Sequence, residues 1–349
     1  MALAGNRPHR PATIKDIARE LNVSISTVSR VLRDMPDVNA ETRQAVLQMA
    51  EKLDYQPNQV ALSLVTKRTH TLGVIVPNLD HFFSVAVRGI DDLALEAGYT
   101  AMICQSNESY AREMVNTQRL MKSRVDGLIV SISSDTFNVD HFKRLLQKNY
   151  PIVFFDRVGS DLAATKVLLD NVAGAAMAVT HLIEQGCRRI AYLAGPANLS
   201  ISQQRLIGYT DTLRKYGIPI EEELIVYSEF DRDYAYSCTL DLLSRPNRPD
   251  AIFAVSDRLA VGALLALKEK NVQVPEEVAL VGFNDEPLMR LLTPAVSSVA
   301  QSAFDMGRTA AQLLIEQMSS ETTLPHRTVM LKPTLIKRDS SLRKKTETT

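Results

Sequence analysis

The sequence predicts an α/β protein with a small all-α head, a short hinge and a larger core of two doubly wound parallel subdomains. Three observations carry this. Residues 13–53 hold three consecutive stretches with apolar residues at helical spacing. From Thr71 onward, short apolar runs alternate with helical patterns along most of the chain. Those runs are too numerous for one small sheet, and such alternation implies parallel sheets covered on both faces.

The first helix starts at Thr13, with Asp16 three residues later in a capping-box pattern. Ile14, Ile17, Ala18 and Leu21 give it one apolar face. Asn22 tolerates a left-handed turn, and Val23 can plug the corner. Ser24 then caps a second helix whose Val28, Val31 and Leu32 face inward, leaving Ile25, Ser26, Ser29, Arg30 and Arg33 outside. Asn39 caps a third, with Val46, Met49, Ala50 and Leu53 inward. The first two helices read as a helix-turn-helix, which presents the start of its second helix to the DNA major groove. The competing reading is a three-helix bundle with no DNA partner.

Pro57 suits the first turn of a short helix in which Val60, Ala61 and Leu64 share a side. Barely two turns long, it would be unstable alone in water. The core strands are expected at 72–76, 99–104, 127–131, 152–155, 167–169, 189–194, 224–227, 251–255 and 278–283. The helices between them are expected at 83–97, 111–122, 139–147, 172–185, 203–216, 234–243 and 258–270. Ligands of doubly wound sheets sit at the carboxyl ends of the strands. The loops to inspect are therefore Asn78 to Phe83, Asp156-Arg157, Asp170-Asn171, Gly195 to Arg205, Ser256-Asp257 and Asn284-Asp285.

Composition narrows the function. The chain has 349 residues and no net formal charge. Residues 1–70 hold 10 Lys and Arg against 7 Asp and Glu, and the remainder 30 against 33. A mildly basic head on a mildly acidic body suits a specific DNA reader better than a nucleic-acid coat. Cys104, Cys187 and Cys238 are too far apart for a metal motif or a disulfide framework, which fits a cytoplasmic protein. No apolar run approaches the ~18 residues of a membrane span. Residues 1–11 are expected to be a disordered arm without a secretory signal, and residues 339–349 a flexible tail. No phosphate loop, dinucleotide fingerprint, zinc-protease motif or nucleophile elbow occurs, so no catalytic residue, metal or cofactor is expected. A solute-binding protein for transport would share the core but needs a secretion signal and no DNA head.

Taken together, the chain resembles the lactose-repressor (LacI/GalR) family of bacterial transcription regulators from about Ala12 to Ile336. The resemblance is carried by the head Thr13–Arg33, the hinge Pro57–Leu64 and Leu72-Gly-Val-Ile-Val76, then by Arg124-Val-Asp-Gly-Leu128, Asp156-Arg157 and Gly186-Cys-Arg-Arg-Ile190. It continues through Leu193-Ala-Gly-Pro196, Ser256-Asp-Arg-Leu-Ala-Val-Gly-Ala263, Val274-Pro275 and Val281-Gly-Phe-Asn-Asp-Glu-Pro287. It implies a periplasmic-binding-protein-like core, with one subdomain near 71–170 and 300–329 and the other near 171–299 and 330–338. It implies a homodimer that binds double-stranded, near-palindromic operator DNA and answers to a small-molecule effector.

By resemblance, Ile25, Ser26 and Arg30 take base-reading positions, and Arg30 has the chemistry to grip a guanine. Thr13, Ser24, Thr27, Ser29, Asn39 and Asn58 join the DNA-facing set, with Ser24 read first as a helix cap. Leu64 matches the residue that wedges into the minor groove. Leu62 stands where an arginine is common, and Lys67 and Arg68 are read as compensating. The implied effector residues are Phe82, Phe83, Asp156, Arg157, Arg205, Phe230, Ser256, Asp257, Asn284 and Gln301, with Leu199 and Ile201 beside them. Phe83 reads equally as core. Leu199 and Ile201 replace polar positions, and Asn284 stands for a usual aspartate, which implies a less acidic site. These departures disfavour a purine or nucleoside, and Asp156-Arg157 favours a sugar or sugar derivative.

Overall fold

The computed structural model describes residues 12–56, 68–159 and 162–344. It divides into two compact units, Met1–Thr69 and His70–Thr349. The hinge, with Asn58, Leu62, Leu64 and Lys67, lies outside the described residues, as do residues 1–11.

In the first unit α1 spans Ile14–Glu20, α2 Ile25–Leu32 and α3 Ala40–Lys52. Ile17, Ala18, Val28, Val31 and Val46 make a buried core, and Val23, Leu32, Met49 and Leu53 pack around it. The turn between α1 and α2 is possible because Asn22 takes the left-handed region, at φ 50°.

The second unit holds two six-stranded sheets. The elements of the first half are β1 (Thr71–Val76), α4 (His81–Glu96), β2 (Thr100–Gln105), α5 (Tyr110–Lys122), β3 (Gly127–Val130), α6 (Asp140–Leu146), β4 (Ile152–Phe155) and β5 (Thr165–Leu169). Next come α7 (Asn171–Glu184), β6 (Ile190–Ala194), α8 (Ser200–Lys215), β7 (Ile225–Tyr227), α9 (Arg232–Ser244), β8 (Ala251–Ala254), α10 (Asp257–Glu269) and β9 (Ala279–Asn284). The chain finishes with β10 (Ser297–Ala300), α11 (Ala303–Ser319), β11 (Thr328–Leu331) and β12 (Thr334–Ile336). Sheet one runs β11-β5-β4-β3-β1-β2 and is wholly parallel. Sheet two runs β12-β10-β9-β8-β6-β7 and is parallel except for β12. The central strands are buried along their length, as sheets covered on both faces require.

The chain passes between the sheets three times: after β5, after β10 and between β11 and β12. Four elements were not legible in the sequence: β10, α11, β11 and β12. α11 carries sheet one's last helical layer and packs tightly along α4. Gly89 and Gly307 permit this approach, because a Cβ on either would overlap a backbone carbonyl oxygen of the other helix.

The flexible tail expected from Asp339 is corrected for its first residues. Ser340 and Ser341 are fully buried. The Ser340 hydroxyl accepts from the Ser297 backbone N–H at 2.9 Å, and the Ser341 hydroxyl lies 2.7 Å from His181 Nε2. Pinned by these bonds, the polar segment closes the end of sheet two.

Candidate functional site

Two sites emerge, one in each unit. In the head, Ile25, Ser26 and Arg30 lie exposed along α2. Arg30 Nη1 sits 3.0 Å from Asp37 Oδ2 in the loop before α3, both side chains being about half exposed. The Ser24 hydroxyl accepts from the Thr27 N–H at 3.0 Å, and lies 2.7 Å from the Ser26 hydroxyl and 2.8 Å from that of Thr27. Asn39 Oδ1 accepts from the Thr42 N–H at 2.7 Å. Thr13 donates both its N–H and its hydroxyl to Asp16. Ser29 is half buried, with its carbonyl accepting from Arg33 Nε. Three of the polar residues in the DNA-facing set, Thr13, Ser24 and Asn39, are thus helix caps.

In the second unit the carboxyl ends of both sheets border a cavity of about 280 Å³. Sheet one contributes Asn78, Asp80, His81, Phe82 and Phe83 from the β1–α4 loop and first turn of α4, Glu108 after β2, Ser134 after β3, and Asp156 and Arg157 after β4. Sheet two contributes Pro196, Ile201 and Arg205 after β6, Glu229, Phe230 and Asp231 after β7, and Ser256 and Arg258 after β8. Asn284 and Glu286 follow from the end of β9, and Gln301 sits on the crossover from β10 to α11. Five of these non-glycine residues, His81, Glu108, Asp156, Phe230 and Asn284, have positive φ. Such backbone costs roughly 1–3 kcal/mol per residue and concentrates where side chains must be aimed at a ligand.

Arg157 is the hub. Its Nη1 donates to both oxygens of Glu108 at 2.9 Å, and its Nε lies 3.8 Å from Asp156 Oδ2. The guanidinium carbon stands 5.4 Å from the Phe83 ring centre and 5.6 Å from that of Phe230. Phe83 belongs to the sheet-one side and Phe230 to the sheet-two side, so one cation joins both walls. Arg205 is buried in the floor. Its Nε donates to Asn171 Oδ1 at 2.8 Å, its Nη1 donates to the Val255 carbonyl at 2.6 Å, and its guanidinium lies 3.6 Å over Phe283. Burial pushes its pKa down to about 10, against the pull of Asp156. Burial likewise raises the Asp156 carboxyl above the usual range, opposed by Arg157 and Arg205.

Three contacts fix the walls further. Gln301 Nε2 donates to Asn284 Oδ1 at 2.7 Å. His81 Nδ1 lies 3.3 Å from Glu286 Oε2, and Asn198 Nδ2 donates to the Ser134 carbonyl at 2.5 Å. The last two span from one sheet's loops to the other's.

Nine of the ten residues expected around an effector line this cavity, and so does Ile201. Asp257 does not. It is fully buried, accepting from the Ser298 hydroxyl and the Glu286 N–H, both at 2.7 Å. It therefore holds the loop after β9 in place, and burial raises its carboxyl well above the ordinary range. Leu199, just before α8, is also buried and absent from the lining. Six carboxyl groups line the cavity. Sequence reasoning missed Glu108, Ser134, Glu229, Asp231, Arg258 and Glu286, although the strand-end rule that found the other loops also covers those after β2, β3 and β7.

Comparison with known proteins gives two family matches. Residues 13–58 match the description "Bacterial regulatory proteins, lacI family", and residues 179–341 match "Periplasmic binding protein-like domain". The chain is 34% identical over 310 residues to a ribose operon repressor of Halalkalibacterium halodurans, covering 88% of this chain and 91% of the relative. A solved complex of the transcriptional regulator CelR with cellobiose shares 30% identity and a TM-score of 0.72, over 95% of this chain and all of that one. The lac repressor dimer bound to operator and the anti-inducer ONPF shares 25% identity and a TM-score of 0.86, over 96% of this chain and all of that one.

Proposed function

The chain belongs to the lacI family of bacterial regulatory proteins, and from that premise we propose a ligand-controlled transcriptional regulator, acting as a repressor, whose cavity takes a sugar or sugar derivative. The observation that carries the ligand half is the gathering of nine expected residues into one polar, partly aromatic cavity between two sheets. The names of relatives, a ribose operon repressor and a cellobiose complex among them, support the sugar class.

In this reading two copies place two α2 helices in successive major-groove half-sites. Ile25, Ser26 and Arg30 face base edges. Thr13, Ser24, Thr27, Ser29, Asn39 and Asn58 sit at the phosphates, where contacts position the protein without specifying sequence. Leu64 wedges the minor groove at the centre. The ligand acts by preferring one arrangement of the two subdomains, and shifts DNA affinity only by its differential affinity for the two states. The protein is not an enzyme, and it works in the cytoplasm, where the DNA is.

A nucleoside would need a ring face for its base. Phe230 offers little, since one side packs on Gly195 and another meets Arg157. Titration calorimetry with pentoses, hexoses, disaccharides and nucleosides tests the assignment. Saturable heat with a sugar supports it, and heat with nucleosides alone refutes it. Footprinting on a selected site should show two half-sites about one helical turn apart. A single protected half-site would refute the dimer.

A further inference from the structure

Six carboxyl groups border the ligand cavity: Asp80, Glu108, Asp156, Glu229, Asp231 and Glu286. Three guanidinium groups oppose them. Two are already engaged, Arg157 by both oxygens of Glu108 and Arg205 by Asn171 and the Val255 carbonyl. The third, Arg258, is exposed at the start of α10, and Glu286 lies 3.3 Å from His81 Nδ1. An anion entering here would meet the carboxyl groups of Asp80, Glu229 and Asp231 against the exposed Arg258, the buried Arg157 and Arg205 being already engaged. Narrow, low-dielectric clefts concentrate such a potential rather than screening it.

A sugar hydroxyl both donates and accepts, so it can bond the carboxylates and the guanidinium groups of the lining alike, whereas an ionised phosphate or carboxylate can only accept and offers the lining carboxylates nothing. Burial already raises the carboxyls of Asp156 and Glu286, and an added anion would raise them further.

We infer that the cavity takes an uncharged polyhydroxyl ligand and rejects anionic ones such as sugar phosphates and sugar acids. This rests on the reading of the cavity as the effector site.

The charge claim is tested without knowing the effector. Ser134→Cys places a thiol in the wall of the full-length protein, and peptide mass at residue 134 follows its modification beside the native cysteines. Two methanethiosulfonates are compared, one carrying a quaternary ammonium and one a sulfonate, with 2-mercaptoethanol as the neutral reference thiol. The cationic reagent should be favoured about tenfold over the reference ratio. Adding Glu229→Gln and Asp231→Asn should bring the ratio back toward that of the reference. A preference for the sulfonate, or no preference, overturns the inference.

Thermal unfolding with D-ribose, D-ribose 5-phosphate, cellobiose and D-gluconate tests the ligand side. Stabilisation by a neutral sugar alone supports the inference, and stabilisation by the phosphate or the acid overturns it. If no compound stabilises the protein, the sugar assignment fails, and the thiol ratio alone decides whether the cavity repels anions.

Discussion

Glu108 grips Arg157 through both carboxylate oxygens, each 2.9 Å from Nη1, and so holds the arginine between Phe83 and Phe230. Glu108 also accepts the Ser134 N–H at 2.8 Å. Three loops of sheet one are thereby locked together at the cavity wall.

Replacing Glu108 with Gln should loosen Arg157 without unfolding the protein. Glu108 is about one-third exposed, so the effect on sugar affinity should be modest, about 1 kcal/mol or a several-fold rise in Kd. Calorimetry with the responsive sugar reads it. An unchanged Kd would mean that the clamp does not position Arg157 for the ligand.

Arg30 is paired with Asp37 at 3.0 Å. Arg30→Ala should weaken operator binding by ~1–3 kcal/mol and relax preference at one base position. Asp37→Ala should strengthen DNA binding slightly, by under ~1 kcal/mol, since the pair is exposed and cheap to break. Anisotropy titrations on the selected site and on random DNA separate the two. Equal loss on both DNAs for Arg30→Ala would remove its base-reading role.

Gly307 lets α11 lie against the carbonyl of Ala86 in α4. Gly307→Ala must push the two helices apart and should destabilise the core by about 1–3 kcal/mol. Urea unfolding followed by circular dichroism checks it. A variant as stable as the parent would show that the helix pair can shift at no cost.

His181 is buried, with Nε2 against the Ser341 hydroxyl at 2.7 Å. Burial first, and the charge of Lys337 second, lower its pKa from the ordinary 6.5. Below pH 6.5 the unfolded chain takes up a proton that the folded chain still refuses. Stability should therefore fall as pH drops from 6.5 toward the lowered folded-state value, and level off below it. Urea midpoints at pH 7.5 and 5.5 should differ more for the parent than for His181→Asn. Equal losses would show that His181 does not supply this dependence.

What could be read from the sequence follows physical lines. α1 to α3 announce themselves because their apolar spacing, caps and the turn at Asn22 agree. α11 is less plain, because the small residues Ala303, Gly307, Ala310 and Ala311 share its buried face with Met306, Leu313, Leu314 and Met318, and at Gly307 closeness to α4 leaves no room for a side chain. β10 buries Ser297 and Ser298, satisfied by partners more than 30 residues distant, so no apolar run marks it. β11 and β12 are only four and three residues long, too short for alternation to show. In the cavity, Asp156, Arg157 and Asn284 fall just after or at the ends of strands that could be seen. Asp257 falls there too, yet its side chain turns inward to bind the Glu286 backbone, a distinction that needs three dimensions.

The most direct test of ligand-controlled DNA binding is selection of random-sequence DNA by the purified full-length protein, with and without a panel of neutral sugars, sugar phosphates and nucleosides. One near-palindromic site should be enriched, and its recovery should change with a neutral sugar. No enriched site under any condition, or a site whose recovery no compound alters, would contradict it.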